Sequence, residues 1–320
     1  MTVIPTSSSE SDRAERGKPR LRALLLAGSL RSARSTPIAQ ALGIPVGALP
    51  IDASHCSLSL LVDRLLRERI VSSVAIAVSE PTDRLLYERI AEESGYKDRV
   101  HVWADTQPHR GPAGIVRDYC DDQLPSDATF GNGLLVLECS SYMEIDFARV
   151  VSAFDPSADA SVVTTRDLRP CGVVHLSHRS IVRIPQVGFY DLKQQLIKAI
   201  GDDGGKTLPL CGDFESWRIS DLQSYLAVLR RRSALGELMR SPRARIDPTS
   251  ILQGTVLVAR DAVIQAGAFI SDSAILPSAV VGDGAVIARS VIPPGTHVPS
   301  GARVVDQVFA TLLAANDEVS

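Results

Sequence analysis

From residue 22 onward, short apolar runs alternate with longer stretches in which apolar positions recur every three or four residues. The runs RALLLAG (22–28), SSVAIAVSE (72–80), RVHVWAD (99–105), GLLVLEC (133–139), ASVVTTR (160–166) and GVVHLSH (172–178) have the length and composition of buried strands. Between them, SLLVDRLLRERI (59–70), PTDRLLYERIAEESG (81–95), PAGIVRDYCDDQL (112–124) and EIDFARVVSAFD (144–155) carry helical spacing. Strand and helix in alternation predict a doubly wound, parallel sheet. Two further helical patterns, DLKQQLIKAI (191–200) and DLQSYLAVLRRRSALGELM (221–239), enclose the run TLPLC and Trp217. Residues 1–20, MTVIPTSSSESDRAERGKPR, are polar and without hydrophobic period, and read as a disordered lead-in.

After about residue 244 the pattern changes in kind. Val256, Ala262, Ala268, Ala274, Val280, Val286, Ile292, Val298 and Val304 fall six residues apart, and a second column runs beside them through Leu257, Val263, Phe269, Ile275, Val281 and Ile287. A period of six fits neither a helix nor a simple alternating strand, but fits a parallel β-helix whose faces each take one hexapeptide. Gly254, Gly267, Gly282, Gly284, Asp261 and Asp283 would occupy its corners, and Phe269 is expected to fill the coil interior. The organisation is then a lead-in at 1–20, an α/β domain at 21–240, a β-helix at 241–310 and a tail at 311–320. About three coils make a marginal unit alone. Cover from the helix at 221–239, or a homo-oligomer or hetero-oligomer, is therefore expected.

Composition narrows the function. Of 320 residues 45% are hydrophobic but only 5% aromatic, which suits parallel strands, helices and thin repeat cores. The formal charge of −3 offers no broad basic surface, so neither a nucleic-acid nor a membrane partner is expected. The five cysteines (Cys56, Cys120, Cys139, Cys171, Cys211) are scattered, without a CxxC pair or metal spacing, and read as reduced structural thiols. No signal peptide or membrane span is legible, and a cytoplasmic location follows by default.

The strand ending in LAG, the alternation after it and the terminal hexapeptide repeat together resemble the sugar-nucleotide pyrophosphorylases, the NDP-sugar nucleotidyltransferase family. HRGPAGIVRDY (109–119) looks like the family's Gly-Thr-Ala-Gly loop and helix, with Pro112 in place of Thr. LLVLECSSYMEIDF (134–147) is similar to the strand and loop that carry Asn-Gly-Asp in the family. SADASVVTT (157–165), IPQVGFYDLKQQLI (184–197) and ESWRISDLQSYLAVL (215–229) continue the likeness over roughly 22–305. The fold class implied is α/β: a Rossmann-like nucleotidyltransferase domain with a parallel-rich mixed sheet, followed by a left-handed parallel β-helix. The activity implied is transfer of a nucleotidyl group from an NTP to a sugar 1-phosphate, with aspartates holding Mg²⁺ between the reacting phosphates.

Several of those parts depart from the family pattern. Where the family has Gly-Gly-x-Gly-Thr-Arg, this chain has Gly28, Ser29, Leu30, Arg31, Ser32 and Ala33, and the family's active-site Pro-Lys falls on Pro45 and Val46. The metal segment falls on Glu138, Cys139 and Ser140, and Trp217-Arg218 runs into Ile219-Ser220 without the second aspartate. A neutral hydroxyl does not replace a carboxylate as an anchor for a hard cation. Only RDLRPC (166–171) stands where the family has a strand pair and a Glu-Lys-Pro segment for the sugar.

The resemblance therefore implies a catalytically degenerate relative: a nucleotide- or sugar-nucleotide-binding regulatory or scaffold subunit in sugar-nucleotide or polysaccharide biosynthesis, with no cofactor. Its candidate nucleotide-binding residues are Ala27, Gly28, Arg31, Gly111, Pro112, Ala113 and Gly114. For Arg31 and Arg34, phosphate binding stands against simple solvation. For Gly111–Gly114, contact with a base or ribose stands against a helix start with Pro placed for geometry. No catalytic residue is assigned, and Glu138 is the weak metal candidate. One alternative is an active nucleotidyltransferase with rearranged ligands, using Mg²⁺ and Glu138 or Asp146. A second is a hexapeptide-repeat acyltransferase with His297 as base; with no loop extruded from the coils, His297 reads instead as a surface corner residue.

Overall fold

A computed structural model of the chain describes residues 2–3, 21–27, 36–105, 107, 109–123 and 133–309. Gly28, Arg31 and Arg34 of the first loop lie outside the described residues, as do most of the lead-in and the tail. By spatial contacts the chain forms two compact units, one from Met1–Ala33 and Ser57–Arg218, the other from Arg34–Cys56 and Ile219–Ser320.

The first unit is built on one large sheet. Its strands are β1 (Thr2–Val3), β2 (Leu21–Leu26), β3 (Val71–Val78), β4 (Val100–Ala104), β5 (Leu134–Glu138), β7 (Ala160–Thr165), β8 (Pro170–Leu176) and β9 (Thr207–Gly212), in the order β1-β9-β7-β8-β5-β2-β3-β4. Thr2–Val3 lies within the lead-in read as disordered, yet pairs in parallel with β9. The central strands are buried on both faces, with Ala23, Leu24 and Leu25 all inaccessible, which is why they read as continuous apolar runs. The sheet is parallel except at β8, which runs antiparallel to both β5 and β7. The cause is local: β7 and β8 are joined by a tight turn at 166–169, with Leu168 at φ 61°, and a link that short cannot return the chain for a parallel pairing. The predicted helices appear as α2 (Ser57–Arg67), α3 (Pro81–Glu93), α4 (Gly111–Gln123) and α5 (Phe147–Ser152), followed by α6 (His178–Val182), a π-helical turn (Leu192–Ile197) and α7 (Lys198–Asp202). A separate antiparallel pair joins β6 (Ser141–Glu144) to β10 (Glu215–Arg218), and Trp217 of β10 stacks on Tyr142 of β6.

In the second unit the repeat region forms three parallel sheets consistent with a β-helix. One holds Arg245–Ile246, Val263–Ile264, Val280–Val281 and His297–Val298; the next Ile251–Gln253, Phe269–Ser271, Val286–Ala288 and Arg303–Val305; the third Leu257–Val258, Ala274–Ile275 and Val291–Ile292. Ile251 pairs with Phe269, 18 residues on, and Phe269 with Val286, 17 residues on. The unbroken six-residue columns are therefore corrected. The interior column is Val258, Ile264, Ile270, Ile275, Val281, Ile287, Ile292, Val298 and Val304, all buried, and its spacing falls to five between Ile270 and Ile275 and between Ile287 and Ile292. A corner one residue shorter reverses which neighbour points inward. Val263 and Phe269 consequently lie on the outer surface, half-buried, and Phe269 does not fill the coil. Gly254, Asp261, Gly267 and Gly284 do stand at corners, each in the left-handed conformation.

The other part of the second unit comprises α1 (Pro37–Leu42), the stretch that follows it, and α8 (Leu222–Ala234), which opens on a capping box between Asp221 and Ser224. Within this unit Asp52 and Arg232 form a fully buried ion pair. The Asp52 carboxylate also accepts the amides of Ser54 and His55, each at 2.7 Å, and the His55 Nδ1 lies 3.2 Å away. Arg232 reaches Glu237 at 3.2 Å through its other terminal nitrogen. Nearby, the Tyr225 hydroxyl donates to the Pro50 carbonyl at 2.5 Å and the Ala53 amide to the Leu238 carbonyl at 2.8 Å.

Candidate functional site

The strand order locates the crevice. From β2 the chain adds β3 and β4 on one side, then returns to lay β5 on the other. In open α/β sheets such a reversal leaves a gap beyond the carboxyl ends of the two strands, and ligands bind there. Those ends are Ala27 after β2 and Glu138 at the end of β5, where Leu26 pairs with Glu138 and the Cys139 amide donates to the Leu26 carbonyl at 3.3 Å.

Ala27 is held by its own neighbours. Its amide donates to the Ala77 carbonyl at 3.1 Å, and its carbonyl accepts the hydroxyl of buried Tyr87 at 3.2 Å. Beside it, the Glu138 carboxylate pairs with the Lys193 ammonium at 2.7 Å. Lys193 stands in the first turn of the π-helical segment, whose entry is fixed by Asp191 accepting the amides of Lys193 (2.8 Å) and Gln194 (2.6 Å). Gly172 of β8 leaves room for this group: its φ is +78°, and a Cβ there would lie 3.0 Å from Met143 Cε and 3.4 Å from Glu138 Cβ.

A Mg²⁺ ion held between phosphates needs several free anionic oxygens converging on one point. Glu138 is neutralised by Lys193, Ser140 offers a hydroxyl, and Asp146 accepts the Arg149 amide at 3.0 Å as the cap of α5. Among the described residues, no three His, Cys, Asp or Glu side chains converge on one point as a metal site would require. The described residues do not fit such an ion.

Gly111, Pro112, Ala113 and Gly114 form the first turn of α4, and all four are buried. The segment 185–190 packs against this turn at Gly111 and Ala113. The Ala113 amide donates to the Tyr190 carbonyl at 3.1 Å, and the Tyr190 amide to the Arg110 carbonyl at 2.9 Å. A Cβ on Gly111, whose φ is +71°, would stand 2.8 Å from the Tyr190 oxygen and 2.9 Å from the Phe189 ring; one on Gly114 would stand 2.8 Å from Arg110 Cβ. Both glycines are thus required by packing within the chain. Arg110, only 3% exposed, is bound bidentately by Asp118 at 2.7 and 3.0 Å and donates to the carbonyls of Gly188 (2.6 Å) and Pro185 (2.8 Å). Gly111→Ala is expected to cost more than about 1 kcal/mol, because both the backbone conformation and the space oppose a methyl group. A melting temperature equal to the parent's would show that the segment yields freely.

At the neighbouring strand end, Asp105 follows β4 and accepts the Gln107 amide at 3.1 Å and the Ser79 hydroxyl at 3.4 Å. Burial holds its carboxyl above the usual aspartate value. The structure sets Ala27 and Glu138 at the adjoining ends of β2 and β5 and places Gly111–Gly114 on the helix that follows β4. The participants missed in the sequence are Lys193, Arg110 and Phe189. An arginine directly before a helix-opening Gly-Pro, with an aspartate eight positions on, was the one legible sign of the Arg110 clasp.

Other candidates resolve simply. All five cysteines are buried and none is in a disulfide, and burial pushes the Cys171 thiol up to about 11. His297 is exposed and lies on an outward-facing strand position, not at a corner. No helix among the described residues is long and apolar enough to cross a membrane.

Residues 234–320 match the family model of the GMPPB C-terminal domain, a C-terminal domain of the GDP-mannose pyrophosphorylase family. The match covers the repeat region and supports a relationship to the sugar-nucleotide pyrophosphorylases. No curated protein matches the chain.

Proposed function

We propose that this protein is a catalytically degenerate sugar-nucleotide pyrophosphorylase relative. It binds a nucleotide or sugar nucleotide at the β2–β5 crevice and serves as a regulatory or scaffold subunit in cytoplasmic sugar-nucleotide or polysaccharide biosynthesis. The observation that carries the reading is the Glu138–Lys193 pair: the carboxylate at the strand end where family chemistry would need a free metal ligand is instead engaged by a cation. Lys193 already stands at that strand end, and on ligand binding it can exchange Glu138 for a phosphate oxygen. The repeat region, as a left-handed parallel β-helix, supplies the surface for homo-oligomer formation or for docking on an active relative. The match of residues 234–320 to a pyrophosphorylase C-terminal domain supports the assignment of the family.

A thermal-shift series tests it, with NTPs, NDP-sugars, sugar 1-phosphates and acyl-CoA, each with and without Mg²⁺. Stabilisation by a nucleotide or NDP-sugar that is indifferent to Mg²⁺ is expected, about 2.7 kcal/mol at a hundredfold excess over Kd. Mg²⁺-dependent stabilisation by an NTP, with turnover of a sugar 1-phosphate, would instead establish the active enzyme. Stabilisation by acyl-CoA alone would replace both.

A further inference from the structure

The segment that packs against the start of α4 presents apolar side chains outward. Val187 and Phe189 are 81% and 56% exposed, and Phe189 is the only aromatic among the strongly exposed large hydrophobic residues described. An exposed apolar loop is ordinarily loose. This one is gripped at Pro185 and Gly188 by the buried Arg110 guanidinium and pinned at Tyr190 by backbone bonds in both directions. Tyr190 itself packs against the core cluster that contains Ala113 and Leu26. The Phe189 ring is therefore set in place, its edge against Gly111, where only the missing Cβ lets it approach. The Ala113 amide is spent on Tyr190, and the flat face this loop offers to an incoming molecule is the Phe189 ring, with Val187 exposed beside it in sequence.

We propose that Phe189 is a stacking platform for the base of a bound nucleotide, with purines favoured for their larger π surface. The inference rests on the nucleotide-binding reading above and names the group that would recognise the base. A flat apolar face, fixed beforehand, gains contact area without the cost of ordering a flexible side chain. It also reads the base without hydrogen bonds, so it distinguishes ring size better than edge pattern.

The test is calorimetric titration of the full-length chain and of Phe189→Ala, Phe189→Leu and Phe189→Trp with ATP, GTP, UTP and CTP. The ring is largely outside the core, so unliganded melting temperatures should match the parent and show that each variant is folded. Phe189→Ala is expected to weaken purine nucleotides about tenfold or more and pyrimidines less, Phe189→Leu to follow alanine, and Phe189→Trp to retain affinity. Parent-like purine affinity in the alanine or leucine variant overturns the platform and leaves nucleotide binding standing. If the parent binds none of the four nucleotides nor an NDP-sugar, the broader reading fails and takes the platform with it. A change in oligomeric state by light scattering, with nucleotide affinity intact, would assign the exposed patch to a protein contact and likewise overturn the proposal.

Discussion

Arg232→Ala is expected to remove about 3–5 kcal/mol of stability, the range for deleting one member of a buried ion pair. The reason lies in what is left behind. Asp52 is buried and accepts two backbone amides, but without the guanidinium its charge would lose its buried ion-pair partner and keep the partly exposed His55 ring beside it. Urea denaturation should show a lower midpoint with an unchanged slope. Asp52→Asn in the same background should recover part of the loss, since a neutral amide does not need the cation. The pair also predicts an acid limb. Burial by itself raises the Asp52 carboxyl, but the hydrogen bonds from His55, Arg232 and Ser54 outweigh it and lower the group from 3.8 to about 2. A folded value below the unfolded one means the contribution is complete above the unfolded value and lost as pH falls toward the folded one. Stability measured between pH 5 and pH 2 should decline in the parent and decline less in Asp52→Asn; parallel curves would sink the assignment.

The second large effect belongs to the coil interior. Ile270→Ala is expected to cost about 2–5 kcal/mol, since Ile270 is inaccessible and stacks between Leu252 and Ile287 in a column one side chain wide. A thin core has few neighbours that can move in to close the gap. Its sequence neighbour Phe269 makes the contrast, because this larger side chain lies on the outer surface and Phe269→Ala should cost clearly less. Equilibrium unfolding of the two variants settles the register: a greater loss at Phe269 would restore the strict six-residue column and refute the shortened corners.

That slip shows where sequence reading meets its limit. At Val263-Ile264, Phe269-Ile270, Val280-Val281 and Val286-Ile287 two apolar residues stand side by side, so a column drawn every six residues meets a hydrophobic side chain whether it faces in or out. The repeat was legible, but the two five-residue steps were not, since nothing in ISDSAI or IARSVI marks the loss of a residue. In the α/β unit the long runs were clear because burial on both faces leaves no polar interruption. The β6–β10 pair went unread, being four residues in each strand and separated by the whole of residues 145–214. The antiparallel course of β8 was implicit in the short link RDLRPC, which leaves no length for a crossover. At the candidate site, Glu138 was visible as a carboxylate ending an apolar run. Lys193, 55 positions on, was not, because the pairing exists only once the sheet brings their elements together.

The ion pair between Asp52 and Arg232 spans 180 positions of sequence, and the whole of Ser57–Arg218 is made between them. At a synthesis rate of about 5–20 residues per second, Asp52 leaves the ribosome roughly 10–40 s before its counterpart exists. The intervening unit can complete its sheet within that interval, whereas the stretch around Asp52 must wait for α8. The newborn chain thus carries an unfinished surface for a fixed period, set by the length of an insert that belongs to a different unit. Chain termination before Arg232 would make that state permanent, leaving a finished sheet beside a segment that can never close and marking truncated products for chaperone retention or proteolysis.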